Sequence, residues 1–151
     1  MTDDEFVSWR EHSTLTYAAV RAAELDLDPD ETLRGARAQS EALLPDGRAT
    51  AGHHFLCVVD AGDVVGWLWI GPHPDKPDAA WIWEIEVVAE AQGRGVGRAA
   101  MLAAEELVAA EGAGALGLNV FGSNERAVAL YESLGYSVVS MTMIKALGDR
   151  P

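Results

Sequence analysis

Residues 84–98 read Glu-Ile-Glu-Val-Val-Ala-Glu-Ala-Gln-Gly-Arg-Gly-Val-Gly-Arg. The alternating run at the start predicts a strand, the glycines predict a tight turn, and the apolar residues at helical spacing that follow predict a helix. At such a junction the backbone amides and the positive end of the helix dipole converge on one point. Arg94 and Arg98 are the only charged residues between positions 91 and 104. The segment therefore predicts a binding site for a phosphate group.

Two other interpretations of this segment remain open when it is taken alone. Gly95, Gly97 and Ala100 satisfy the dinucleotide fingerprint Gly-x-Gly-x-x-Ala. A dinucleotide domain places that fingerprint after its first strand and continues through several more strands and helices, for which the 51 residues after Ala100 are too few. The second alternative is a plain glycine turn that only connects a strand to a helix. The sequence has no P-loop motif.

The elements around this segment predict a mixed sheet. Thr2 with Glu5, and Asp28 before Pro29, are typical of helix starts. The predicted elements are helices from Thr2 to about Glu24 and from Asp28 to Pro45, strands at 55–59, 64–70 and 80–88, a helix at 96–110, a strand at 116–120, a helix at 124–134 and a strand at 136–146. This order indicates an α/β (α+β) fold in a single domain over residues 1–151. Its central sheet is antiparallel in the N-terminal part, parallel across a β-α-β crossover, and flanked by about four helices.

Composition excludes several classes of protein. The chain has 151 residues, of which 49% are apolar and 23% charged, as expected for one globular domain. It has 11 basic and 24 acidic residues, a net charge of −13, which opposes binding to nucleic acid. It contains one cysteine, no apolar run of membrane-spanning length, and no His residues at metal-ligand spacing. We therefore expect a cytoplasmic protein with no membrane partner and no metal.

A second motif lies near the end of the chain. Asn124 and Tyr131 are seven residues apart, so on a helix they project from one face about 10 Å apart. Ala127 and Val128 lie between them. The pair can share a ligand. The alternative is that Asn124 only caps the helix and Tyr131 is a core aromatic.

In this order, the two motifs resemble the acyl-CoA signature of the GNAT superfamily of N-acetyltransferases. The resemblance covers residues 81–146 and implies a GNAT-like fold that uses acetyl-CoA as co-substrate. One feature departs from it, because the superfamily normally begins with a strand and the helix signal here begins at Thr2. Either the sheet has six strands rather than seven, or a strand is hidden around Leu15 to Val20.

The resemblance also implies a set of cofactor-binding residues. The backbone amides of the glycine turn, with Arg94 and Arg98, would hold the CoA pyrophosphate. The main chain of Val87 and Val88 would bond the pantetheine arm, which then acts as a surrogate strand, and Asn124 would bond the same arm by its side chain. The implied CoA-binding residues are Val87, Val88, Gln92, Gly93, Arg94, Gly95, Val96, Gly97, Arg98, Asn124, Ala127 and Tyr131.

The implied reaction is direct transfer of acetyl from the thioester to a primary amine of a small molecule or peptide in a ternary complex. The amine must lose a proton, and Glu84 and Glu86 share one face of the strand before the turn, so either can be the base, with Glu86 preferred. Asn119 occupies a position where some members of the superfamily carry a glutamate. Tyr131 would protonate or stabilise the departing thiolate.

The acceptor and the assembly are less constrained. The excess of acidic groups favours a cationic acceptor, and the chain is expected to be a monomer or a homodimer. A non-catalytic acyl-CoA-binding sensor or interaction module is the alternative function. Four tryptophans, at positions 67, 69, 81 and 83, form two alternating pairs that favour packing beneath helices, although one could wall the acceptor pocket.

Overall fold

The computed structural model describes residues 1–148, which form two compact units, Met1–Asn119 and a second that begins at Val120. The second unit holds one helix, α4 (Glu125–Ser133). The first unit holds helices α1 (Asp3–Leu25), α2 (Pro29–Leu43) and α3 (Val96–Ala110), and strands β1 (His54–Asp60), β2 (Asp63–Pro72), β3 (Ala79–Val87) and β4 (Ala115–Leu118).

Helix α1 begins at the capping box that the sequence predicts. The Thr2 hydroxyl accepts from the Glu5 amide at 3.2 Å, and the Thr2 amide donates to the Glu5 carboxylate at 2.6 Å. The helix then continues without interruption to Leu25, so the alternative of a strand around positions 15–20 is wrong. The reason is that α1 buries residues at helical spacing, among them Ala18 and Ala22. Among residues 1–148, no helix is both long and apolar enough to cross a membrane.

The sheet has the order β1-β2-β3-β4. Strands β1 and β2, and β2 and β3, pair antiparallel, whereas β3 and β4 pair parallel through the crossover helix α3. The mixed α/β architecture predicted from the sequence is thus confirmed. Small residues of α3, such as Ala100 and Ala104, are buried, and α3 contacts both strands of the parallel pair.

Strand β3 carries a β-bulge at Trp83. Glu84 pairs with Trp69 and Ile82 pairs with Ile70. Because Trp69 and Ile70 are adjacent on β2, Trp83 is the additional residue on β3. A bulge interrupts the alternation of faces, and as a result two consecutive side chains contact the same helix. Trp83 packs against the core beneath α1, and Glu84 accepts a hydrogen bond from Ser13 of α1.

An aromatic core joins α1 to the sheet. Trp9 is 4% exposed, and its ring centroid lies 5.6 Å from that of Trp69 and 5.3 Å from that of Phe55. The prediction that the tryptophans pack beneath a helix is confirmed for Trp69, while Trp81 packs edge-on against His73. The buried cluster is Phe6, Trp9, Leu44, Phe55 and Trp69, with Met1, Leu43, Trp67 and Trp83 packed against it.

The predicted final strand at 136–146 is wrong. Within the described residues, 136–148 form no helix or strand, and Val139 is 92% and Met143 85% exposed. Alternation of side chains shows only that a segment could present two faces. A strand also requires a neighbouring backbone to pair with, and the described part of the second unit contains no other strand.

Candidate active site

The glycine turn after β3 is held by its own side chains and backbone. Gly93 and Gly95 have φ values of 75° and 82°, the left-handed region that glycine adopts without strain. The Gln92 side-chain amide donates to the Val87 carbonyl at 2.8 Å, and Ala91 is 2% exposed. The turn is therefore fastened to the end of β3 and anchored in the core.

Helix α3 starts at this turn without a side-chain cap in the described residues. Its N-cap is Gly95, which provides no side chain to accept from the amides of the first turn, and no capping bond from the described residues replaces one. A Cβ placed on Gly95 would meet no atom within 4 Å among the described residues. A helix start at a glycine without a side-chain cap fits the phosphate site that the sequence predicts.

The two arginines of the turn differ in position. Arg98 lies in the first turn of α3. The Arg94 guanidinium donates to the Asp60 carboxylate at 2.7 Å, and its side chain is 58% exposed. An exposed ion pair of this kind is weak, and a guanidinium has five N–H donors. Arg94 can therefore bind an anion while it remains close to Asp60.

Beside the turn, one edge of β3 pairs with no strand among residues 1–148. Pairing between β3 and β4 ends at Ile82 with Leu118, although β3 continues to Val87. The Val88 amide donates to the Val65 carbonyl of β2 at 2.9 Å. Because successive residues of a strand direct their main-chain groups to opposite edges, Val87 is the residue whose backbone lies at the edge away from β2. An extended ligand can add to β3 along this edge.

Helix α1 contacts both glutamates of β3. Ser13 Oγ donates to Glu84 Oε2 in a short hydrogen bond. His12 Nε2 lies 3.0 Å and 3.2 Å from the two carboxylate oxygens of Glu86. The structure thus brings Glu84 and Glu86 together on one side of the sheet, as the sequence predicted, and adds two α1 residues that sequence analysis had not singled out. No local signal identifies them, because they lie 71 and 74 positions away along the chain.

The two carboxyl groups differ in their electrostatics. Burial raises the pKa of Glu84; the Ser13 hydrogen bond lowers that pKa in part, and the Glu86 charge raises it further. Glu86 is more open to solvent, with 32% of its side chain exposed, and it is paired with His12. A raised pKa is a common property of general bases, and among these two carboxyl groups burial gives it to Glu84, whereas the sequence alone favoured Glu86.

The second unit holds the Asn124–Tyr131 motif on α4. Asn124 is the N-cap residue, and its Oδ1 accepts from the Ala127 amide at 3.2 Å. Its side-chain NH₂ group is a separate donor, so capping does not prevent a bond to a ligand. Burial raises the pKa of the Tyr131 phenol, so that hydroxyl stays protonated throughout the neutral range.

Comparisons with known proteins agree on one family. The family model described as acetyltransferase (GNAT) family matches residues 11–136. The protein named uncharacterized N-acetyltransferase YdgE of Bacillus subtilis is 30% identical over 97% of this chain and 95% of its own length. A crystal structure of the Bacillus subtilis acetyltransferase YycN is 29% identical and superposes with a TM-score of 0.90 over 99% of this chain and 96% of that one.

A more distant relative is the mycothiol acetyltransferase of Paenarthrobacter aurescens. It is 37% identical over 86 residues, which is 54% of this chain and 27% of that enzyme. All of these proteins are acetyltransferases by name, and the match to the family model extends over most of the chain. The protein is therefore an acyltransferase enzyme, and the chain belongs to the GNAT family of acetyltransferases.

Proposed function

We propose that this enzyme transfers acetyl from acetyl-CoA to a primary amine of a small molecule or peptide, by direct attack in a ternary complex. The proposal is supported mainly by the position of β3, which connects a candidate base to the glycine turn. This strand presents Glu84, whose pKa burial raises, and a single 3-10 turn, Ala89–Ala91, connects it to the glycine turn before α3. A base and an anion site thus lie on one continuous segment.

The residues of the turn fit the diphosphate of acetyl-CoA. The amides of residues 92–97 would bind it, with Arg94 and Arg98 supplying positive charge. Val87 would bond the pantetheine arm through its amide, because its carbonyl already accepts from Gln92, whereas the Val88 amide is already committed to β2. Asn124, with Ala127 beside it, would hold the same arm.

The acceptor must lose a proton before it attacks. An alkylamine with a pKa near 10.4 is about 3.4 units from deprotonation at pH 7, a cost of about 4.6 kcal/mol. A carboxyl with a raised pKa accepts that proton more readily than an ordinary, fully solvated one. We assign this role to Glu84, with Glu86 as the second carboxylate beside it. The two acidic groups favour a cationic acceptor.

The relatives do not identify the acceptor substrate of this enzyme. The mycothiol acetyltransferase matches only 54% of this chain, and this chain spans only 27% of that enzyme. That match supports the shared acetyl transfer and leaves the acceptor to experiment. Incubating the full chain with acetyl-CoA and a panel of amines, and measuring release of the CoA thiol, tests the proposal. Binding of acetyl-CoA without release for any amine would favour the non-catalytic sensor instead.

Replacing Tyr131 by Phe tests the leaving-group role. A phenol that remains protonated can donate to the departing thiolate, and loss of a general acid lowers the rate about 10²-fold or more. We expect kcat to fall by that factor in Tyr131→Phe while the Kd for acetyl-CoA stays nearly constant, measured by thiol release and calorimetry. Tyr17→Phe, at an exposed tyrosine of α1, is the control. An unchanged kcat in Tyr131→Phe would remove this residue from the mechanism.

Replacing Gly95 by Ala tests the phosphate site. Gly95 and Gly112 lie at opposite ends of α3, both have positive φ, and an added Cβ meets no atom within 4 Å at either. Forcing alanine into this conformation costs about 1–2 kcal/mol, which the turn can relieve only by moving its amides. We expect about tenfold weaker acetyl-CoA binding in Gly95→Ala and no change in Gly112→Ala, measured by calorimetry. Equal affinities in the two variants would contradict the placement of the diphosphate.

A further inference from the structure

Helix α1 supplies two consecutive residues to the two carboxylates of β3. Glu84 and Glu86 lie about 6.6 Å apart along the strand. Ser13 reaches Glu84, and His12 reaches both oxygens of Glu86. The ring of His12 also lies 5.9 Å from that of Trp67. Each carboxylate therefore has its own partner from the same turn of the helix.

These polar contacts do not hold α1 in place. The preceding turn of α1 buries Trp9 in the aromatic core, where it contacts Phe6, Phe55 and Trp69. The His12 and Glu86 side chains, in contrast, are 49% and 32% exposed, and such exposed pairs add little to stability. The core sets the position of the helix, so the contacts to the glutamates are available for another purpose.

The two contacts differ in their chemistry. Ser13 donates to Oε2 of Glu84 and thereby orients the carboxylate that would take the proton of the amine. His12 must carry a proton on Nε2 to donate to Glu86, and a second proton on the ring makes it a cation beside that carboxylate. The charge of His12 lowers the pKa of Glu84 and the charge of Glu86 raises it, so His12 offsets the effect of Glu86 on its neighbour.

We propose that Ser13 and His12 are positioning residues for the acid–base step, Ser13 by orienting Glu84 and His12 by screening Glu86. The proposal rests on the proposed function, in which Glu84 takes the proton of the acceptor amine. In this proposal, residues of the N-terminal helix adjust the orientation and the proton affinity of a base that lies on the central sheet.

The charged groups around Glu84 give the sign of the effect. Glu86 acts from the same strand and His12 from α1, and the residues of β2 that pair with the two glutamates are the tryptophans at 67 and 69. The Ser13 hydrogen bond and the His12 charge both lower the pKa of Glu84. Removal of either contact is expected to raise that pKa.

The test uses the full chain labelled with carboxyl-¹³C glutamate and titrated by NMR. The Glu84 signal is assigned with Glu84→Gln, and its midpoint is compared in wild type, Ser13→Ala and His12→Gln. We expect upward shifts in both variants and restoration of the wild-type midpoint in Ser13→Thr, which keeps the hydroxyl. His54→Gln is the matched control, because His54 pairs with Glu111 at the same 3.0 Å on the same unit and contacts neither glutamate of β3 in the described residues.

The acidic limb of kcat/KM for acetyl transfer should move in the same direction as the NMR midpoint. Midpoints in Ser13→Ala and His12→Gln that match wild type would overturn the proposal, as would an equal shift in His54→Gln. The titration needs neither acetyl-CoA nor acceptor. Shifted midpoints in a protein that acetylates no amine would therefore support the positioning roles of Ser13 and His12 and refute the proposed function. A failure of the positioning proposal can thus be distinguished from a failure of the proposed function.

Discussion

Replacing Glu84 by Gln is expected to lower kcat for acetyl transfer by about 10²–10⁴-fold. Glutamine keeps the shape of the side chain and can still accept from Ser13, but it cannot take a proton from the attacking amine. The raised pKa of Glu84 places the acidic limb of the wild-type rate profile above that of an ordinary glutamate. The measurement is kcat and kcat/KM against pH with a reactive amine from the panel. In Glu84→Gln that limb should disappear with the activity.

Two comparisons make this result specific. Glu86→Gln should reduce kcat far less, and an equal loss in both variants would contradict the assignment of the base to Glu84. Stability provides the second comparison. A raised pKa means that the folded state disfavours the ionised carboxyl, so stability decreases as pH rises through that pKa. A neutral glutamine avoids this cost, so Tm at pH 7 should be unchanged or higher, and a lower Tm would attribute the lost activity to unfolding.

Replacing Trp9 by Ala is expected to lower the free energy of unfolding by about 3–5 kcal/mol. Trp9 is 4% exposed and its ring packs against three other aromatic rings that join α1, β1 and β2. Domains of this size are stable by only about 5–15 kcal/mol, so the variant should be near the limit of folding. Urea unfolding followed by circular dichroism measures the effect.

The control is Tyr17→Ala on the same helix. Tyr17 is 42% exposed, so its removal leaves no cavity and should change stability by less than about 1 kcal/mol. Equal losses in the two variants would show that α1 is held by something other than the aromatic core. Because the same core places His12 and Ser13 against the sheet, Trp9→Ala should also move the Glu84 titration midpoint before the protein unfolds.

The features that the sequence predicts well depend on neighbouring residues. The capping box at Thr2, the start of α2 at Pro29 and the start of α3 after Gly95 each involve groups only a few positions apart. Such signals are complete within one or two turns of chain, so no knowledge of the tertiary structure is needed to interpret them. The final strand could not be predicted in this way, because it depends on a partner backbone.

The bulge in β3 could not be predicted from neighbouring residues, because it depends on how β3 pairs with β2. Alternation along β3 places Trp83 and Glu84 on opposite faces, yet the additional residue at Trp83 brings both to the side of α1. The preference for Glu86 as the base has the same origin. The sequence shows two glutamates on one face of the strand, and only the tertiary structure shows that burial raises the pKa of Glu84.

The sequence by itself determined the order of the elements as far as α4, the mixed sheet, the glycine turn before α3 and the pair of carboxylates, because each is encoded in spacing and local backbone preference. Only the tertiary structure decided that burial raises the pKa of Glu84, that pairing between β3 and β4 ends at Ile82, and that α1 places His12 and Ser13 against the glutamates. These contacts join residues more than 70 positions apart. They follow from the packing of an aromatic core, which places side chains by shape and burial that no short stretch of sequence contains.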